Sequence, residues 1–433
     1  MKLLSVMTLA ACVVLHAASG QAKDLIVHAG MLIDGTEGPA RTQVSIEIHG
    51  ERISAVTPGF VTRPDAEIID LSRSTVLPGF IDCHDHLANG ADRRPLNRFL
   101  LTDGDAVVNA VVNARREIET GFTTVRDLGS TTLAAPAVSR GIQAGRIIGP
   151  RIWTALEPIG PTGGHSDPEN GVRPDVSFAN RAYTVADGVD AVIANVRAHH
   201  KRGAKVIKIY PSGGVASIGD DPQAMTMTVA EMTAAVETAH ALGMKVAAHA
   251  HGTKAIDAAI VAGVDSIEHG TYATAESYQL MKQHGTFLVP TLLVADVIYQ
   301  QAVHSPETLP PTVADKAKAV VPVMMENFKR AYRAGVKIAF GSDQGASTGQ
   351  NKAREYELMV HAGVTPRDAI LAGSLRAAQL IGATQDIGSI QAGRYADLVA
   401  VTGNPLEHIE ILQQVQFVMK GGEVLKADGK MLR

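Results

Sequence analysis

Residues 80–87 read Phe-Ile-Asp-Cys-His-Asp-His-Leu. An apolar run, Val76-Leu77-Pro78-Gly79-Phe80-Ile81, leads into them, and the stretch ends in His84-x-His86. In a strand, alternate side chains share a face, so the two imidazoles point the same way. Two imidazoles on one face at the end of an apolar strand are half of a metal site. Taken alone, such a pair is more often two surface histidines. The rest of the chain reverses those odds, because ligand-type residues recur at the ends of later apolar strands.

Working outward from this stretch, short apolar runs alternate with helical stretches from Val76 onward. After the first, the strand candidates are 121–127, 151–155, 204–210, 245–249, 265–269, 286–290 and 336–341. This is the pattern of an α/β protein with a (β/α)8 TIM barrel, and it predicts chemistry at the C-terminal ends of the strands. The conspicuous residues fall there: His84 and His86 after the first strand, Lys208 in the fourth, His249 after the fifth, His269 after the sixth and Asp343 after the eighth. A long Gly/Pro-rich loop over 158–175 contains Thr162-Gly163-Gly164-His165; loops of that length in compact domains are usually functional.

On either side of the barrel the pattern is β-rich. Val44, Ile46 and Ile48 alternate with polar residues before a turn at Gly50, and the tail 396–401 and 415–424 again reads as strands with a hairpin. The expected division is a first β segment over 23–74, a barrel over 75–388, and a second β segment over 389–433. The two chain ends would then build one small β-sandwich-like domain beside the barrel.

Residues 1–22 are not expected to be part of the fold. Lys2, the apolar run 3–15 and small residues up to Ala22 read as a secretory signal peptide, which implies a periplasmic or secreted protein. The alternative takes Leu9-Ala10-Ala11-Cys12 as a lipobox with Cys12 lipidated. The run is too short to span a membrane well, and no other stretch looks transmembrane. A net charge of −4 without long single-sign runs gives no reason to expect a nucleic-acid partner. Of the two cysteines, only Cys83 lies beyond the leader, so no intramolecular disulfide is expected in the mature chain.

At this point the chain resembles the metal-dependent amidohydrolase superfamily. The resemblance is carried by Pro78-Gly79-Phe80-Ile81-Asp82-x-His84-x-His86, Ile207-Lys208, His249, Glu268-His269-Gly270 and Gly341-Ser342-Asp343. The closing Gly388-Ser389-Ile390-x-x-Gly393-x-x-Ala396-Asp397-Leu398-Val399 belongs to it as well. Thr162-Gly163-Gly164-His165, Ser212-Gly213-Gly214 and Gly403-Asn404-Pro405-Leu406 are similar to the branch related to imidazolonepropionase. That branch includes binuclear Xaa-Pro and Xaa-Arg dipeptidases, carboxypeptidases and ochratoxin-type amidohydrolases.

The resemblance implies two divalent metal ions, zinc by ligand type. His84, His86 and Asp343 would hold one and His249 and His269 the other, with carbamylated Lys208 bridging. A lysine ammonium facing two cations would be repelled, whereas its carbamate is an anionic oxygen ligand. Two cations sharing a water make hydroxide available at neutral pH. Asp343 would accept the water proton and pass it to the leaving amine. His251 is the candidate oxyanion stabiliser, although the branch often has Tyr there, and His165 is the candidate for binding a substrate carbonyl or carboxylate. Tyr210 is a candidate pocket residue. Asp82 and Asp85 are candidates for orienting the ligand histidines. Glu268 is expected to face away from His269, and Arg126 and Asp127 to pair at a strand end.

The expected substrate is a small amide or peptide, a dipeptide or N-acyl amino acid cleaved before its C-terminal residue, with ochratoxin A as one case. Two alternatives stand beside this: a cyclic-amide hydrolase of the imidazolonepropionase kind with one metal, and a non-catalytic binding protein on the same scaffold. Analogy with the family implies a homo-oligomer.

Overall fold

The computed structural model describes residues 24–90, 100–130, 133–343 and 350–433. The expected leader, Cys12 included, lies outside the described residues.

The chain opens with alternating strands β1 (Asp24–Leu32), β2 (Arg41–His49) and β3 (Arg52–Pro58), followed by the long β4 (Glu67–Pro78). Antiparallel register sets Leu25 opposite Ile48, Val27 opposite Ile46 and Ala29 opposite Val44. Because paired residues share a face, that alternation builds one apolar surface. After the β2–β3 hairpin, β4 returns parallel to β1.

β4 runs through Gly79 directly into β5 (Phe80–Asp85). A Cβ at Gly79 would lie 2.2 Å from the Thr123 hydroxyl, so this junction needs glycine. Parallel strands follow, each reached through helical chain: β6 (Phe122–Asp127), β7 (Arg151–Thr154), β8 (Val206–Ile209), β9 (Lys245–Ala250), β10 (Ser266–His269) and β11 (Phe287–Val289). They form a three-stranded sheet β5-β6-β7 and a four-stranded sheet β11-β10-β9-β8.

Hydrogen bonds link the edges of these two sheets on both sides. Lys205 donates to the Thr154 carbonyl (2.9 Å), and Ile159 bridges to β8 by donating to the Lys208 carbonyl (2.8 Å). On the other side, Leu288 donates to the Lys337 carbonyl (2.9 Å) and Cys83 to that of Phe340 (2.9 Å). The expected eighth strand therefore lies between β11 and β5, but it is an extended segment with a single bridge, Leu288 to Ile338, rather than a full strand.

Outward-facing strand residues such as Ile207, Ile209, Val246 and Ile267 join one large apolar cluster with helical side chains including Val236, Ile256 and Phe328. Several helices start where the sequence supplies caps. Thr228 and Thr274 close capping boxes at Val229–Ala241 and Ala275–His284, and Thr365 caps Pro366–Ala372. The Thr-Pro-Arg-Asp start at 365–368 and the glycine at 382 suggest one helix between them. It breaks at Gly373 instead, where carbonyls are diverted inward: Phe340 donates to that of Ala372 and Ile81 to that of Gly373 (both 2.9 Å).

The tail forms β12 (Leu398–Thr402), β13 (Phe417–Lys420), β14 (Glu423–Ala427) and β15 (Lys430–Met431). It joins the opening strands in one eight-stranded sheet, ordered β15-β14-β13-β12-β4-β1-β2-β3. One face of this sheet, with Val27, Ile46, Leu398, Phe417 and Met419, forms its own apolar cluster. The opposite face sends Leu77, Val399, Val401 and Val418 into the cluster around the parallel strands. No described helix is long and apolar enough to cross a membrane.

Candidate active site

The site lies at the C-terminal ends of the parallel strands. β5 ends at His84 and His86, whose ring centroids are 5.5 Å apart. His84 lies 5.2 Å from His269, and His249 lies 4.5 Å from His269 and 4.7 Å from His251. Asp343 reaches across from the segment after 336–340: its Oδ1 is 3.0 Å from His86 Nε2 and 3.6 Å from His84 Nε2. Two triads bring their potential ligand atoms within 4.8 Å of one another, His84/His269/Asp343 and His249/His251/His269.

Hydrogen-bond partners decide which ring nitrogens remain free. His84 Nδ1 lies 2.7 Å from Glu268 Oε2 and His86 Nδ1 3.0 Å from the Gly129 carbonyl. Neither a carboxylate nor a carbonyl can donate, so both Nδ1 atoms carry a proton; His84 keeps Nε2 as its free nitrogen, while His86 Nε2 faces the Asp343 carboxylate. His269 Nδ1 meets Thr291 Oγ1 at 2.7 Å, and that hydroxyl donates to the Pro290 carbonyl (2.8 Å), so His269 also keeps Nε2 free. His249 is the reverse: Nε2 donates to the Gly213 carbonyl (3.3 Å), leaving Nδ1. His251 Nδ1 meets Thr271 Oγ1 at 2.7 Å.

Burial keeps His84, His249, His251 and His269 neutral, the form that can bind a cation; burial also lowers His86, but Asp343 outweighs it and raises that ring above its ordinary value. Desolvation, aided by the Lys208 charge, lowers His84 to about 4. Desolvation with the neighbouring His165 lowers His251 to about 3, and burial among like groups holds His249 and His269 well below the ordinary range. Burial would raise Asp343, but His84 and His86 hold its carboxyl well below the ordinary range. Lys208 lies in β8 at 1% exposure, and its Nζ is buried without a hydrogen-bond partner among the described residues. Burial lowers it to about 8.

Several partners were not foreseen. Glu268 faces inward rather than away from the site. Its register partner is His249, which places both on one face of the sheet. His269, next in sequence, reaches the same interior because it sits at φ +70°, where strand alternation ends. Arg126 does not pair with Asp127. Its Nη2 lies 2.9 Å from Glu268 Oε1 and its Nη1 3.0 Å from Ser266 Oγ. Burial pushes Glu268 upward, but Arg126 and His84 hold it at about 2. Asp127 instead accepts from the Leu87 amide (3.0 Å), Ser130 Oγ (2.8 Å) and Thr154 Oγ1 (2.7 Å).

Asp82 and Asp85 do not touch the histidine rings. Asp82 accepts from the amides of His84 (2.9 Å) and Ser342 (3.1 Å), so it ties the backbones that carry His84 and Asp343 together. Asp85 Oδ1 lies 2.7 Å from the buried ammonium of Lys352. His165 stacks on His249 at 4.5 Å and 23°, and its Nδ1 meets Ser217 Oγ at 2.6 Å. Tyr210 lies 4.9 Å from both rings.

The donor set fits divalent metal ions. Imidazoles and one carboxylate gather in two triads, and the buried Lys208 nitrogen, near enough for its charge to act on His84, His249 and His269, has no hydrogen-bond partner among the described residues.

Comparison with known proteins agrees. The chain is 32% identical to the ochratoxinase of Aspergillus niger over 441 aligned positions, covering 95% of this chain and 89% of that protein. It is 25% identical to the imidazolonepropionase of Symbiobacterium thermophilum, covering 94% and 98%. The crystal structure of a Xaa-Pro dipeptidase with methionine bound in its active site matches with a TM-score of 0.89 at 36% identity, covering 94% of this chain and 100% of that one. The model of the amidohydrolase family matches residues 75–425. The chain belongs to the amidohydrolase family and is a hydrolase of amide bonds.

Proposed function

We propose that this hydrolase is a binuclear metalloenzyme that cleaves the amide before a C-terminal amino acid, in dipeptides or N-acyl amino acids. The observation that carries the reading is the Lys208 nitrogen, buried without a hydrogen-bond partner among the described residues and near enough to interact electrostatically with His84, His249, His269 and Asp343. An amine lowered to about 8 is partly unprotonated near neutral pH, and only the free amine adds carbon dioxide to become a carbamate. His84, His86 and Asp343 would hold one ion, His249 and His269 the other, with the Lys208 carbamate between them and zinc the metal of choice.

When bound, the ions supply Lewis acidity toward the substrate carbonyl and a lowered pKa for water. Asp343 takes the proton of the attacking water and returns it to the departing nitrogen. His251 faces the developing oxyanion. The Thr271 hydroxyl can donate to its Nδ1, which leaves the proton on Nε2, the tautomer an oxyanion donor needs. His165, on the loop after β7, engages the substrate carbonyl or carboxylate.

The scaffold under this reading is an eight-stranded barrel, with 336–341 as its last strand and the domain limits 75–388. The leader at 1–22 directs the chain to the periplasm or outside the cell, where scavenging of small amides fits. The subunits assemble as a homo-oligomer.

The test is release of free amino acids from Xaa-Pro, Xaa-Arg and Xaa-Phe dipeptides, N-acyl amino acids and ochratoxin A, with zinc and bicarbonate present. Asp343→Ala should remain folded and lose activity by about 10²–10⁴-fold or more, the range for a general base. No release by wild type carrying two metals per chain overturns the reading. The similarity to imidazolonepropionase favours a second one, hydrolysis of a cyclic amide at a single metal, and metal content per chain separates the two.

A further inference from the structure

The helical segment between β11 and the 336–340 segment consists mainly of Leu292–His304 and Pro311–Arg333. None of the candidate ligands lies on it. It reaches the loop after β8 with the side chain of Lys316. Lys316, 17% exposed at its side chain, places Nζ 2.6 Å from the Gly214 carbonyl, 2.7 Å from that of Ser217, and 3.2 Å from both the carbonyl and Oδ1 of Asp220. An ammonium has three protons, so this loop exhausts its donor capacity. Val215 of the same loop packs against Ala302, Ala314 and Ala317 of the two helices.

The loop so held touches three histidines of the site. The Gly213 carbonyl accepts from His249 Nε2 (3.3 Å), and Ser212 Oγ accepts from the His251 amide (3.0 Å). Ser217 Oγ meets His165 Nδ1 at 2.6 Å, and Asp220 Oδ2 lies 3.4 Å from the same nitrogen. Ser217 donates to Asp220 Oδ1, so its oxygen is left to accept from His165. A Cβ on Gly214 would lie 2.2 Å from the His165 ring, so the ring rests directly on this backbone.

We infer that Lys316 is a positioning residue for the amide-hydrolase site: its ammonium pins loop 212–220, and through that loop it fixes the place and tautomer of His165. The inference rests on the role for His165 given above. Lys316→Met keeps the length of the side chain and removes every donor. Lys316→Arg keeps charge and donors in a different shape.

The test compares wild type, Lys316→Met and Lys316→Arg, each as the full chain with zinc and bicarbonate. Hydrogen exchange of the 212–221 backbone is measured in each. The rate on a substrate that wild type cleaves is measured in the native and His165→Ala backgrounds. Lys316→Met should speed exchange in this loop and lower kcat/KM by about 10–100-fold, the usual cost of losing an orienting partner. Lys316→Arg should recover part of both. In the His165→Ala background, Lys316→Met should cost less than about twofold, because the group it positions is gone. Unchanged exchange overturns the inference. So does an equal rate loss in both backgrounds, which marks general destabilisation. Wild type that cleaves no substrate in the panel overturns the amidase reading instead, and the exchange comparison then decides the role of Lys316 in holding the loop.

Discussion

Glu268 and His269 are adjacent in sequence, yet both enter the site. Five of the six candidate ligands were legible because their residue types sit at the ends of apolar runs, and Lys208, inside one, gained its role from the family resemblance. The inward turn of Glu268 was not legible, because period-two alternation describes a regular strand and His269 leaves that geometry at φ +70°. Glu268 joins Arg126 to His84 and fixes the proton on His84 Nδ1. Glu268→Gln keeps the shape but lets an amide face both Arg126 and His84. It should lower metal affinity or activity by about 10–100-fold while Asp343 chemistry is untouched, which a chelator-competition titration reads directly. The two threonine–histidine contacts are equally short but differ in role. Thr291 gives its proton to Pro290, whereas Thr271 is able to give its own to His251. Thr271→Val should therefore lower kcat by about tenfold or more with metal content unchanged, and Thr271→Ser should restore it; kcat and metal content measured on both variants check this.

Among elements, helix Leu292–His304 begins at Thr291, which sits at φ +53° and receives the His269 proton. Its first amides donate to Glu355, at 2.9 Å from Leu292 and 2.6 Å from Leu293. Thr291 stands at the N-cap position but makes no side-chain cap bond; the capping group comes instead from another helix more than sixty residues away. Burial raises Glu355 to about 8 despite those two donors. Between its ordinary 4.5 and 8 the native state holds a proton that the unfolded chain releases, so this group's contribution to stability falls as pH rises through that window. Glu355→Gln does not titrate. Urea unfolding at pH 5 and pH 8 should show the variant gaining on wild type by a few kcal/mol at the higher pH. The eighth strand candidate was legible as an apolar run ending at Asp343, but hydrophobicity does not reveal that only one bridge forms there. The break at Gly373 was also missed. The sequence gives a good helical start at Thr365, but a Cβ at Gly373 would lie 2.0 Å from Tyr356 Oη, a tertiary constraint.

At the scale of the whole molecule, the candidate metal donors come from β5, β8, β9, β10 and the segment ending at Asp343, so bound ions would tie together elements distant in sequence. Removing metal with a chelator should lower the melting temperature by several degrees, since a ligand specific to the native state stabilises it. Zinc with bicarbonate should restore it more fully than zinc in carbon-dioxide-free buffer, and in Lys208→Met bicarbonate should make no difference; calorimetry under the three conditions reads the outcome. Alternating patterns at both chain ends were readable, and the strands they form share one eight-stranded hydrogen-bonded sheet with its own apolar face.

One consequence concerns the order in which the chain is made. β4 continues through Gly79 into β5, and β12, from the last tenth of the sequence, hydrogen-bonds along β4 from Ser74 to Pro78. While a ribosome is still adding residues, the strand that carries His84 and His86 lacks the neighbour that anchors its entry. Synthesis thus proceeds from one end, but the strand leading into this site gains its last neighbour only from residues made near the other.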